Sequence, residues 1–224
     1  IIGNKNRSSG GGITTSNSNS ATIKITGSLI TRNWAKSFGG GVCFYQALNP
    51  ILKNVTISLN KTGSRGNGGG LAVRDSNTEL INCVISGNET TSMGGGIYYQ
   101  SGSSSSVLKN CLISGNTSGS SGGGIYYRSS GDLELYNCTI VSNKSTAGDG
   151  GAIYNSGSSV NISSSIFWGN SVNPKAKPAR GTNPVHNTSA TPLDITYSNI
   201  EMGLETIAPV GEYDETNINS DPLF

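Results

Sequence analysis

The side chains best suited to chemistry are few in this 224-residue chain. Paired carboxylates would cleave a glycosidic bond by general acid and base action, but they must sit at a fixed separation. Glu79, Glu134 and Asp194 fall at one place in three repeats of the sequence, with Val107 and Asn161 at the places between. Stacked two repeats apart, on the order of 10 Å, such carboxylates make no tight site. Asp149, in Gly148-Asp149-Gly150, is single and lacks the nonapeptide spacing of calcium-binding β-rolls. His186 is the only histidine, with no Ser or Cys elbow to accompany it, and a solvated loop histidine is expected. Cys83, Cys111 and Cys138 share one place in successive repeats while Cys43 lies elsewhere, which is not the paired spacing of a disulfide framework or a zinc site. The glycine triplets lack the Lys-Ser/Thr ending of a phosphate loop and recur in every repeat. The residues therefore lean against an enzyme, and no metal or cofactor is called for.

What positions these residues is a repeated phrase. Its clearest copy runs Leu108 to Asn116 and then Gly122-Gly123-Gly124-Ile125-Tyr126-Tyr127. Anchored on Asn4, Asn33, Asn60, Asn88, Asn116, Asn143 and Asn170, the copies are 29, 27, 28, 28, 27 and 27 residues apart. Three residues before each Asn stands an apolar residue, Ile1, Ile30, Ile57, Ile85, Ile113, Ile140 or Phe167. Eight before most of them stands another, Ile25, Leu52, Leu80, Leu108, Leu135 or Ile162. Such a period announces a repeat architecture.

Short stretches such as Leu133-Glu134-Leu135-Tyr136 alternate with period two, and nothing sustains helical spacing. Three short strands per repeat of about 28 residues suit one turn of a parallel β-helix, whereas a propeller blade needs four strands and about 40 residues. The expectation is an all-β, right-handed parallel β-helix of about eight coils over residues 1–203. An irregular excursion is expected at 171–194, where four of the seven prolines fall, with a strand near Val185. Residues 204–224 read as an extension leading toward a cap. The chain opens without Met, in mid-phrase, and is expected to be a piece of a longer protein.

Stacked coils turn sequence columns into ladders about 4.8 Å per step. Asn33, Asn60, Asn88, Asn116, Asn143 and Asn170 are expected to form a turn ladder, since Asn tolerates the left-handed conformation and can bond along its own stack. Asn54, Asn60, Asn88, Asn116, Asn137, Asn143, Asn161 and Asn187 also stand in Asn-x-Ser/Thr, a spacing that a Ser/Thr-rich repeat supplies by itself. Cys83, Cys111 and Cys138 read as an interior small-residue ladder. If Ile97, Ile125 and Ile153 point inward, then Thr14, Cys43, Ala72, Tyr98, Tyr126 and Tyr154 share an outward column. Two residues on, the same face carries Ser16, Tyr45, Arg74, Gln100, Arg128 and Ser156. Tyr98, Tyr126 and Tyr154, flanked by Arg74 and Arg128, are the expected ligand-binding residues, because an aromatic row with polar tips suits sugar rings or partner proteins.

Composition excludes several classes. The net charge of +2 leaves no electrostatic footprint for nucleic acid. No run approaches the 18 apolar residues of a membrane-spanning helix. Gly, Ser and Asn abound, but regular apolar spacing and low net charge speak for order rather than disorder.

The recurring pair resembles the repeats of the chlamydial polymorphic outer membrane proteins, which read GGA[ILV] and FxxN. The first motif stands at Gly10–Ile13, Gly39–Val42, Gly68–Leu71, Gly94–Ile97, Gly122–Ile125 and Gly150–Ile153, with the family's Ala only at Ala152. The second stands at all seven Asn positions, with the family's Phe only at Phe167. The closing Asp221-Pro222-Leu223-Phe224 is similar to the tail of bacterial surface proteins with pectate-lyase-like right-handed β-helices. The resemblance implies a secreted or surface-displayed bacterial β-helix, an adhesin, autotransporter passenger or spacer, and no particular ligand; the tyrosine row is what points to glycans or host-cell proteins as partners, and a monomer is expected. The alternative is a polysaccharide lyase or hydrolase with its site outside this stretch.

Overall fold

The computed structural model describes residues 1–18, 22–101, 105–173, 185–191, 193–201, 216–217, 220 and 222. They wind into a parallel β-solenoid with four sheets of seven strands each. The first sheet follows the glycine triplets and runs from Ile13–Ser18 to Val185–Asn187. The second runs from Lys24–Thr26 to Leu193–Thr196, and the third from Leu29–Thr31 to Asn199–Ile200. The fourth runs from Lys5–Asn6 to Ser171–Val172.

Two corrections follow. Each coil holds four strands rather than three, and the described residues stack in seven rungs rather than about eight. The extra strand comes just after the Asn, as in Lys61–Thr62, Glu89–Thr90 and Lys144–Ser145. It is two residues long, with one exposed and one buried small polar residue, so it carries no apolar alternation to read.

Register is strict. Leu52, Leu80, Leu108, Leu135, Ile162 and Ile195 are successive partners, as are Ile30, Ile57, Ile85, Ile113, Ile140, Phe167 and Ile200. These columns and the inward residues of the first sheet, Val42 through Val185, fill one continuous interior. Every added rung buries its apolar face on its neighbours, which is where a solenoid finds its stability.

The glycines lie where coils crowd. A Cβ on Gly123 would stand 2.4 Å from the carbonyl oxygen of Gly151, and one on Gly95 would stand 2.4 Å from that of Gly123. The first glycine of each triplet, such as Gly122 at φ +70°, also needs the left-handed region.

The Asn column is a buried side-chain ladder. Asn33, Asn60, Asn88, Asn116 and Asn143 are all at most 1% exposed. The left-handed residue, however, stands one place earlier, at Arg32, Leu59, Gly87, Gly115, Ser142 and Gly169. Four of the Asn residues that do adopt positive φ form another column, Asn54, Asn82, Asn110 and Asn137, just before the cysteine column. Bonds of 3.2 Å link Asn110 Nδ2 to Asn82 Oδ1 and Asn82 Nδ2 to Asn54 Oδ1 on the exposed corner.

Within the expected excursion, Ser171–Val172, Val185–Asn187 and Leu193–Thr196 are regular rungs, while 174–184 and 192 lie outside the described residues. Of the expected extension, Thr216, Asn217 and Ser220 bond to the last rung: the Asn217 side chain accepts from Ser198 N at 2.8 Å and donates to the Ile195 carbonyl at 2.6 Å.

Candidate functional site

The first sheet's strands place alternate residues in and out. Ile97, Ile125 and Ile153 point inward and are fully buried. Tyr98, Tyr126, Tyr154 and His186 follow them in one outward column, partnered rung by rung. Their rings stack: Tyr98 on Tyr126 at 5.4 Å and 17°, Tyr126 on Tyr154 at 5.1 Å and 7°, and Tyr154 on His186 at 5.2 Å and 15°.

That stack is not an open aromatic face. Tyr98 is 4% and Tyr126 7% exposed, clustered with Cys43 and Ala72 beneath Phe38 and Met93. The ring faces are occupied by one another, so no sugar ring can lie on them, and the expected role of Tyr98 and Tyr126 as stacking platforms is corrected. Phe38 and Met93 come from the segment that leads into the glycine triplet, where the repeats vary in length. Burial, then the neighbouring Tyr126, pushes the Tyr98 hydroxyl above its ordinary pKa, while Arg128 and Arg74 oppose the rise.

His186 is corrected too. It lies on a strand rather than in a solvated loop, stacked on Tyr154, with Nε2 3.9 Å from Asp149 Oδ2. Asp149, read as isolated, is 6% exposed beside it.

The two arginines lie where expected, one step farther along the same strands. Arg74, Gln100 and Arg128 are partners on consecutive rungs, which spaces the guanidinium-bearing residues about 10 Å apart along the solenoid axis. Their side chains line an open groove of about 780 Å³ at the bend between the first and second sheets. Ser129, Ser156, Ser158, Ser189 and Thr191 complete much of the wall. Arg74 stacks over Phe38 and Tyr45, with Cζ 4.3 and 4.8 Å from their ring centres, so its charge is held in place. Arg128 is exposed. Tyr98 sits behind the wall and donates to Gln100 Oε1 at 3.1 Å.

Asp75 and the hydroxyls of Ser189 and Thr191, which share a 2.6 Å bond, are groove residues that the sequence did not flag. The signal available was positional: Asp75 follows the Arg74 column, and Ser189 and Thr191 stand after Asn187 at the corresponding end of a later strand.

The carboxylates stay apart. Glu79, Val107, Glu134, Asn161 and Asp194 are successive partners on the second sheet, so the acids are separated by neutral rungs. Glu79 is held by Lys109 at 3.1 Å, and Glu134 accepts from the Tyr136 hydroxyl at 3.2 Å. Among the described residues no three His, Cys, Asp or Glu side chains gather to hold a metal ion. The groove thus offers guanidinium, amide and hydroxyl groups with one carboxylate at Asp75, a set that binds hydroxyl-rich chains.

Geometry and register define a parallel β-solenoid bearing a polar groove. Residues 61–200 match the family model of the right-handed β-helix region, and the chain belongs to that family. No curated protein and no solved structure matches the chain.

Proposed function

We propose that the chain is a non-catalytic bacterial surface or secreted β-helix that binds glycan along the Arg74–Gln100–Arg128 groove. The observation that carries this reading is the row itself: three donor-bearing side chains on consecutive rungs, lining an open groove walled by hydroxyls. A glycan laid along the solenoid axis meets a similar donor at every step, with charge at the first and third. The in-phase GGA[ILV]-like and FxxN-like motifs support display of the polymorphic outer membrane protein kind, as an adhesin or passenger with a pectate-lyase-like scaffold. Separation of the carboxylates by neutral residues supports binding over cleavage.

Binding of the protein to an array of neutral and acidic glycans tests the reading, with Arg74→Ala/Arg128→Ala as the matched variant. Retained parent binding that the double variant loses is expected. Parent binding unchanged in the variant, or release of reducing ends or unsaturated products from any bound polysaccharide, would overturn it.

A further inference from the structure

Cys83, Cys111 and Cys138 occupy one interior column on three consecutive rungs. The column lies between residues of fixed register: Ile81, Lys109 and Tyr136 are partners on one side, and Val84, Leu112 and Thr139 on the other. Main-chain bonds of 2.9 Å from Leu112 N to the Cys83 carbonyl and from Thr139 N to the Cys111 carbonyl pin the same steps. One rung is about 4.8 Å, which falls inside the 4.4–6.8 Å span of Cα atoms that a disulfide bridges. All three cysteines are free, and each donates weakly to carbonyl oxygens at 3.3 to 3.5 Å. Cys43 lies outside the barrel, in the aromatic cluster, and cannot reach them.

We propose that this column is a redox-modification site that closes a single disulfide between adjacent rungs, with Cys111 as the obligatory partner. Cys83 and Cys138 are two rungs apart, about 10 Å, and too far to bridge each other. Cys111 therefore bonds to one neighbour and leaves the other reduced. Glutathione disulfide serves as the oxidant. A cysteine thiolate of the column attacks one of its sulfurs and expels one glutathione thiolate. A neighbouring thiolate then attacks the mixed disulfide and expels the second, so two protons and two electrons pass from the protein to two glutathione molecules. The thiols are 1–2% exposed in the folded chain, so the exchange belongs to the stage at which rungs close on one another. The proposal stands on register and is independent of the groove.

The column also supplies its own control residue. It continues as Ser165 and Ser198, whose hydroxyls accept from Cys138 N at 3.0 Å and Ser165 N at 3.1 Å, so serine already fits this place in the coil. The full chain is unfolded, refolded in a mixture of reduced and oxidised glutathione, alkylated after denaturation and weighed intact. The parent should retain two alkylatable thiols of its four, and peptide mapping should place the bond at Cys111. Cys83→Ser and Cys138→Ser should each keep one bond. Cys111→Ser and the double variant Cys83→Ser/Cys138→Ser should keep none. Four alkylatable thiols in the refolded parent, or a bond that survives in either of the last two variants, would overturn the assignment.

Discussion

Asn88 donates to Asn116 twice, from its backbone N at 2.9 Å and from its side-chain Nδ2 at 3.0 Å, and both bonds end on the one Oδ1 atom. Asn116 repeats the pattern on Asn143 and sends its Nδ2 back to the Ile85 carbonyl at 2.9 Å. Truncating it leaves a buried N–H, a buried amide and a buried carbonyl without these partners. Asn116→Ala should therefore cost about 3 kcal/mol, at the upper end of what unsatisfied buried groups cost. Urea unfolding measures it; a loss under about 1 kcal/mol would mean that the ladder is not a source of stability.

A crowded triplet glycine can be ranked against an uncrowded corner glycine. A Cβ on Gly123 meets main-chain atoms at 2.4 and 2.6 Å, from Gly151 and Lys144, and neither can move without shifting a rung. Gly27 has φ +52° but nothing within 4 Å of its Cβ position. Gly123→Ala should cost about 3 kcal/mol or more, as overpacking does, and Gly27→Ala only the left-handed penalty of about 1 kcal/mol. Thermal unfolding of the pair decides it, and equal costs would refute the crowding account.

Tyr127 links the interior to pH. Burial first, then the nearby Asp132, pushes its hydroxyl up to about 12, while that hydroxyl donates to the Gly131 carbonyl at 2.6 Å. The unfolded chain ionises its tyrosines near pH 10. Above that value the unfolded state holds fewer protons than the folded one, so stability falls as pH rises from about 10 toward 12, and is unaffected by this group below pH 10. Denaturant midpoints between pH 9 and 12 should drop less steeply in Tyr127→Phe than in the parent.

Much of this was legible in the sequence because a solenoid turns spacing into contact. The Leu and Ile columns, the inward Ile97, Ile125 and Ile153, and the Glu79–Val107–Glu134 order all lie where the period puts them. The fourth sheet was not legible, since strands such as Thr117–Ser118 bury only a small polar residue that looks like loop. Nor was the cover over Tyr98 and Tyr126: Phe38 and Met93 share the place just before the triplet with Ser9, Asn67, Ser121 and Asp149, a mostly polar column with no apolar pattern to mark it as a cover. His186 was hidden because its rung, after a Pro-rich stretch, has no glycine triplet to mark the strand. The left-handed corner was assigned to the right residue type in the wrong column, since both Asn33 and Asn54 flank turns and only the backbone separates their roles.

The groove residues separate binding from stability. Arg128 is exposed, so Arg128→Ala should change stability by less than about 0.5 kcal/mol, the ordinary range for a surface site. Arg74 is half-buried and rests on Phe38 and Tyr45, so Arg74→Ala should cost about 1 kcal/mol through lost cation–π contact and packing of its stem. Arg74→Lys keeps the charge but not the planar contact, and should recover glycan binding only in part. Tyr126→Ala removes the ring between Tyr98 and Tyr154 and should cost about 3 kcal/mol, as a large-to-small change in a packed cluster does. Tyr126→Phe keeps the ring and should be nearly neutral in both assays. Glycan retention and urea midpoints, read on the same five proteins, should therefore split cleanly: Arg128→Ala loses binding at unchanged stability, and Tyr126→Phe loses neither. If Tyr126→Phe abolished binding while Arg128→Ala left it intact, the ligand would have to meet the tyrosine hydroxyls, and the assignment of the groove to the arginine row would fall.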